Sequence, residues 1–198
     1  LVSADKVLRE PTGAHKDLAA LVRMPDGAAD LFMPQAQPEL RCVAGLLRAA
    51  GIAGAAARLL DMTVAYANER SQFGKPIGRQ QALQQNLAVM AEDVLACRIA
   101  VELACAQGMP PKLLPVACAK AQTSAVAARI ANTAHAVHGA IGISEEYDLQ
   151  LLSTRLHVWR TAAGSETYWN GLIGKARMQS RASAIDWIRD EVFLEQAL

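Results

Sequence analysis

Several things are scarce in this 198-residue chain, and each scarcity removes a class of protein. Aromatic residues make up 5% while alanine abounds, which disfavours a sheet sandwich and favours closely packed helices. Twenty basic residues face 19 acidic ones, a formal charge of +1, so nothing electrostatic points to nucleic acid or an anionic membrane as partner. No two cysteines form a C-x-x-C pair. Cys42, Cys97, Cys105 and Cys118 all sit in apolar helical context and are expected to be buried free thiols. That expectation, together with the lack of a signal-peptide pattern, implies a reducing, cytoplasmic setting. No apolar run is expected to be long and uninterrupted enough to span a bilayer. Neither a Ser-His-Asp pattern nor a metal-spaced His or Cys set nor a Walker loop is present. The chain begins at Leu1 rather than Met, which reads as a processed piece or a part of a longer protein.

What is present divides into two regions. Residues 1–37 carry strand-length runs, "LVSADKVLRE" and "LAALVRM", punctuated by "PTGAHKD", "PDGAAD" and "MPQAQP". They are too few for a stable sheet of their own. From Pro38 the period becomes helical. Leu40, Val43, Leu47, Ala50, Gly54, Leu60 and Val64 mark the expected core stripe of a helix running to about Arg70, or ~45 Å. A second helix is expected from about Arg79 to Ala106. A third, rich in alanine, runs from about Lys112 to His138 and stops at Gly139. Shorter helical segments follow, "EEYDLQLLSTRLHVW" and "SETYWNGLIGKARMQ", and then a charged helical tail. The fold class expected over 38–198 is all-α, an antiparallel four-helix bundle with short connections.

Three constellations carry chemistry. In "YANERSQFGKPIGRQQ", Arg70 offers a rigid guanidinium fork suited to phosphate, Phe73 a ring able to stack on a planar ligand, and Gln81 an amide. The plain alternative is a helix–helix turn with a solvated Arg and a Phe plugging the core. In "AVHGAIGISEEY", Gly139 and Gly142 flank a turn where exposed backbone can meet a ligand, or simply stop a helix; His138 reads as a residue capping a helix C-terminus. In "RTAAGSETYWNG", Ser165 reads as an N-cap with Glu166 in the first turn, a helix start that favours an anion or merely a capped, solvated end.

Taken together, these stretches resemble the acyl-CoA dehydrogenase family, specifically its C-terminal helical domain. The pattern Y-x-x-x-R-x-x-F-G-x-x-[IL]-x-x-x-Q is matched by Tyr66, Arg70, Phe73, Gly74, Ile77 and Gln81. The hallmark H-G-G-x-G followed by E-Y is similar to His138-Gly139-Ala140-Ile141-Gly142 and Glu146-Tyr147. The resemblance covers about Pro38 to Met178, and residues 1–37 look similar to the tail of the family's middle β-domain with its linker. It implies FAD as cofactor, lying across a subunit interface. Arg70 would meet the pyrophosphate, Phe73 would pack on the cofactor, Gln81 would hydrogen-bond to it, and Gly139 and Ser165 would line its remaining contacts.

The chain departs from that family where the reaction needs a base. The residue before the Gly of the family's E-G-T motif is Ala163, a methyl group, and the alternative position on the first long helix offers only Ala44 and Gly45. Glu166 is a weak substitute, three residues further on. Ala136 and Ala140 replace a Gln and a Gly of the glycine motif. The resemblance therefore implies a subunit of a FAD-dependent acyl-CoA dehydrogenase complex without a catalytic residue of its own. It is similar to the base-lacking subunit of the α2β2 enzymes of actinobacterial steroid side-chain degradation. Its partner would be a homologous subunit carrying the catalytic Glu, its substrate an acyl-CoA, with no nucleic acid and no membrane. The other readings are a structural subunit without flavin and a homomeric enzyme with a relocated base. Ala44, Gly45, Ala49 and Gly51 hint at room for a bulky acyl group, or at close helix packing.

Overall fold

The structure, a computed structural model, describes residues 4–11, 20–27 and 37–193. The chain divides into two compact units, Leu1–Leu40 and Arg41–Leu198. In the first, β1 (Leu8–Pro11) pairs antiparallel with β2 (Ala20–Arg23), Leu8 opposite Arg23. The expected turn over 12–17 and the segment 28–36 lie outside the described residues.

The second unit is built on α1 (Gln37–Glu69), α2 (Gln81–Ala106), α3 (Leu113–His138) and α4 (Leu149–Thr161). Between α1 and α2 lies a two-residue hairpin, β3 (Ser71–Gln72) with β4 (Lys75–Pro76), and then a 3-10 turn, Ile77–Arg79. A second 3-10 turn, Gly139–Ile143, follows α3. After α4 come α5 (Glu166–Gln179), the short α6 (Ala184–Trp187) and a π-helical turn, Ile188–Val192. The expected helical tail is thus helical up to Val192, in short pieces. Side-chain contacts set the helix directions. Tyr66 at the end of α1 stacks on His138 at the end of α3, while Ala104, near the end of α2, packs with Ala49 and Ala119, near the starts of the other two. Trp159 at the end of α4 covers Gly51 in the first half of α1. The helices therefore alternate in direction, as expected for an antiparallel bundle. α3 is the central element, with buried residues from Pro115 to His138. The main core joins Ile52, Ala56 and Leu59 of α1 to Met90 and Val94 of α2, Ile130 of α3, and Leu149 and Leu156 of α4.

α1 corrects two expectations. Its inward face is Cys42, Ala49, Ile52, Ala56, Leu59, Thr63 and Ala67, whereas Leu40, Leu47 and Val64 of the expected stripe are exposed at 61%, 67% and 39%. The cause is that α1 is apolar nearly all round, so periodicity alone does not pick the face. For the same reason Leu40–Glu69 is long and apolar enough, by length and composition, to cross a membrane, with a mean hydropathy of 1.5 in its most apolar window. It contributes Ile52, Ala56 and Leu59 to the bundle core. The small residues of α1 are packing sites: a Cβ on Gly45 would lie 2.8 Å from Trp169, one on Gly51 would lie 2.9 Å from Trp159, and Ala49 is fully buried. Tryptophan rings fill the space read as acyl room. The cysteines split as well. Cys42 and Cys97 are buried, Cys118 is half-buried and Cys105 is exposed, with none in a disulfide.

Candidate functional site

The motif residues gather at two places that α1 holds apart. Arg41 near its start and Tyr66 near its end are separated by ~38 Å of helix.

At the far end, α1 breaks into the hairpin because Phe73 and Gly74 both take positive φ, 52° and 77°, the pair of left-handed residues a two-residue hairpin needs. Ile77 is buried below and pins the corner through its amide, which donates to the Arg70 carbonyl at 2.8 Å. α3 ends on the same side because Gly139 adopts φ 63°, and its N–H closes back on the His135 carbonyl. Arg70, Tyr66, Gln72, Ile77, His138 and Gly139 thereby line one cavity of about 450 Å³. Its wall is aromatic. The Tyr66 and His138 ring centroids lie 4.4 Å apart at 24°, and Tyr147 completes the cluster 5.2 Å from His138.

His138 stands at the end of α3, as expected of a residue at a helix C-terminus, but away from solvent. Its ring is buried, one nitrogen bonds to the Ala134 carbonyl at 2.8 Å, and burial pushes its pKa below the ordinary imidazole value. The other nitrogen, Nε2, is buried without a partner. Among the described residues the Arg70 guanidinium makes no ion pair, and space beside Gly139 is open to 4 Å. An unpaired fork, an orphaned ring nitrogen and an uncrowded backbone at one cavity suit the phosphate-rich part of a dinucleotide. Phe73 and Gln81 belong to the same end but not to the cavity wall. Phe73 tips the hairpin at 92% exposure, rather than plugging the core, and Gln81 is exposed at the first position of α2. Gly142 is buried against Leu149 and His138, so its part is packing rather than backbone exposure.

At the near end, the α4–α5 turn carries Ala163 at φ 59° and Gly164 at φ 104°. A cavity of about 300 Å³ is lined by Arg41, Ala163, Gly164 and Tyr168. Ser165 occupies the N-cap position of α5, and its carbonyl accepts from Trp169 N–H at 3.2 Å, but its hydroxyl caps nothing. Glu166 is not solvated in isolation. One carboxylate oxygen accepts from Arg160 at 2.8 Å, and its own amide together with Arg160 holds the carboxyl below the usual range.

Beneath this turn lies a residue that sequence reasoning passed over. Lys120 is fully buried, and its ammonium donates to Ser124 Oγ at 2.6 Å, to the Arg160 carbonyl at 2.9 Å and to the Gly164 carbonyl at 3.0 Å. Three donors meet three acceptors, and burial pushes the pKa down to about 8. The signal was faint: one lysine stands among alanines in the first half of α3. Arg41 and Tyr168 were also missed: Arg41 lies in none of the three stretches, and Tyr168, inside the third, carries no role in the pattern.

The structure thus brings Arg70 and Gly139 together and sets Ser165, Ala163 and Glu166 at the opposite end. Comparison with known proteins identifies the family. Residues 44–178, more than half of the chain, match a family described as acyl-CoA dehydrogenase, C-terminal domain. The chain is similar to acyl-CoA dehydrogenase IpdE2 of Mycobacterium tuberculosis, with 32% identity over 75% of this chain and 45% of the relative. It is also similar to IpdE2 of Mycolicibacterium smegmatis, with 40% identity over 58% and 36%. In structure it resembles a chain of the ChsE4-ChsE5 complex from Mycobacterium tuberculosis, with a TM-score of 0.67 and 28% identity over 75% of this chain and 41% of that one. The chain spans less than half the length of these relatives.

Proposed function

This chain belongs to the acyl-CoA dehydrogenase family, whose cofactor is FAD, and on that premise we propose that it is a subunit of a dehydrogenase complex that completes a flavin site without supplying the base. The observation that carries the proposal is the shared cavity of Arg70 and Gly139, two motifs far apart in sequence, at the end of α1 opposite to the turn where the family keeps its carboxylate, with ~38 Å of helix between Arg41 and Tyr66. One cofactor is too short to bridge both ends. The far corner therefore serves a flavin held mainly by a neighbour, and Ser165 serves another.

When bound, FAD accepts the hydride leaving the acyl β-carbon. The part of this chain is to bind and orient. Arg70 meets the pyrophosphate, Gly139 allows close backbone approach, Phe73 packs on the cofactor and Gln81 hydrogen-bonds to it. Removing the α-proton requires a carboxylate within hydrogen-bond reach of the substrate. Ala163 has none, Trp169 fills the space beside Gly45, and Glu166 is held by Arg160. We assign the base to a homologous partner subunit, with an acyl-CoA as substrate. The likeness to IpdE2 and to the ChsE4-ChsE5 complex supports the steroid-type branch of the family. The exposed apolar residues Leu47, Val64, Leu95 and Ile99 support a covering neighbour.

Co-expression with the partner tests this. The complex should be yellow, and Arg70→Ala in this chain should release flavin on gel filtration while the complex stays assembled. Full flavin retention by the variant contradicts the proposal.

A further inference from the structure

The outer face of α2 is apolar where a solvated helix would carry charge. Leu95, Ile99 and Leu103 recur every four residues on the side turned away from the buried Met90, Val94, Cys97 and Ala104. They are 56%, 46% and 40% exposed, and Ala96 and Ala106 extend the strip. It stops at Glu92, just before Leu95. Single exposed apolar residues are ordinary on a surface, whereas a continuous strip of them marks a contact. Arg98 and Glu102 line one edge. Arg98 Nε donates to Glu102 Oε1 at 2.7 Å, and both side chains stand largely in solvent.

This strip is its own complement. Leu-Ile-Leu at four-residue spacing reads the same in either direction, so an inverted copy sets Leu95 against Leu103 twice and Ile99 against Ile99 on a two-fold axis. The charged edge obeys the same symmetry. Antiparallel helices bring like edges together, so Arg98 of each copy falls beside Glu102 of the other. Parallel helices would set that edge against the Ala96 edge, where no charge answers it. We propose that α2 is a homotypic interface, on which two copies of this chain pair antiparallel through Leu95, Ile99 and Leu103. The assembly then holds this chain twice, joined to itself as well as to its flavin partner, and an isologous contact of this kind closes at two copies. The pairing is independent of the flavin reading: the Arg70 corner precedes the start of α2, and Ile99 lies ~27 Å along the helix from Gln81.

Disulfide trapping in the assembled complex tests the contact, in a Cys105→Ser background because that native thiol is exposed on the same helix. Ile99→Cys should cross-link this chain to itself, since helices packed about 8–10 Å apart bring axis positions within disulfide reach. Leu103→Cys should not, because its counterpart in the inverted copy lies ~12 Å away along the helix. Arg98→Glu places like charges along the shared edge. The assembly should then fall to a single copy of this chain at about tenfold or more higher concentration than wild type, read by light scattering. Adding Glu102→Arg restores an edge of opposite signs and should recover the wild-type mass. Arg70→Ala, which tests the flavin, should leave the Ile99→Cys cross-link intact. A cross-link from Ile99→Cys to the partner subunit, a self-link from Leu103→Cys as strong as that from Ile99→Cys, or no link at all overturns the inference, and so does a charge swap that fails to restore the mass.

Discussion

Phe73 gives the sharpest forecast, because its side chain contributes nothing within this chain and should contribute much outside it. The ring is 92% exposed at the tip of a hairpin, and its backbone is held at φ 52°, where a non-glycine residue is disfavoured by about 1–2 kcal/mol. Phe73→Ala keeps a Cβ at that position, so the backbone strain is unchanged and only the ring is removed. In the isolated chain the denaturation free energy should shift by less than about 0.5 kcal/mol, as for other surface changes. In the assembly, covering a phenyl ring is worth about 1.5–3 kcal/mol, so flavin retention should weaken by about tenfold to a hundredfold. Urea unfolding of the chain and flavin fluorescence during dilution of the complex measure the two quantities separately. A destabilised isolated chain with normal flavin retention would refute the reasoning, since the ring would then be a core residue of this fold.

Three further outcomes follow from other parts of the molecule. His138 and His135 both have pKa values lowered by burial from the ordinary 6.5, so the unfolded chain binds more protons just below that pH and stability should fall as pH drops through it; urea midpoints at about pH 7.5 and about pH 5 should differ less in His138→Gln, and an unchanged difference would count against a buried neutral ring. Lys120→Met should cost about 1–3 kcal/mol by leaving the Arg160 and Gly164 carbonyls without their donor, and hydrogen exchange should quicken at the start of α5; unaltered exchange there would mean the lysine does not hold the turn. Ala163→Gly should stabilise the chain by about 0.5–1 kcal/mol, since glycine tolerates φ 59° and alanine does not, and a lower melting temperature would argue against that backbone.

How much of this was legible beforehand depends on what each residue interacts with. Helix ends were readable where chemistry is local: Gly139 stops α3 and Ser165 begins α5 as the sequence implies. The inward face of α1 was not, because a helix apolar on every side offers no contrast, and only Trp159 and Trp169 seated on Gly51 and Gly45 select it. The Arg70 corner was recognisable as a pattern, but its alternative of Phe73 as a core plug could be set aside only once the hairpin placed the ring outside. The long-range polar contacts were hidden for a different reason. Lys120 reaches Arg160 and Gly164 some forty residues away, and Arg41 reaches Tyr168 across 127, distances over which no periodicity speaks. The separation of Ser165 from Arg70 was implicit in the length of α1, since a continuous helix fixes its two ends apart.

The central claim is that the corner after α1 belongs to a flavin carried by another subunit. The most direct measurement is an experimental structure of the assembled complex with its flavin. The account predicts the Arg70 guanidinium within about 2.7–2.9 Å of a pyrophosphate oxygen, on a cofactor whose other contacts come mainly from a neighbouring chain. Arg70 facing solvent, or a carboxylate of this chain seated against the acyl α-carbon, would contradict it.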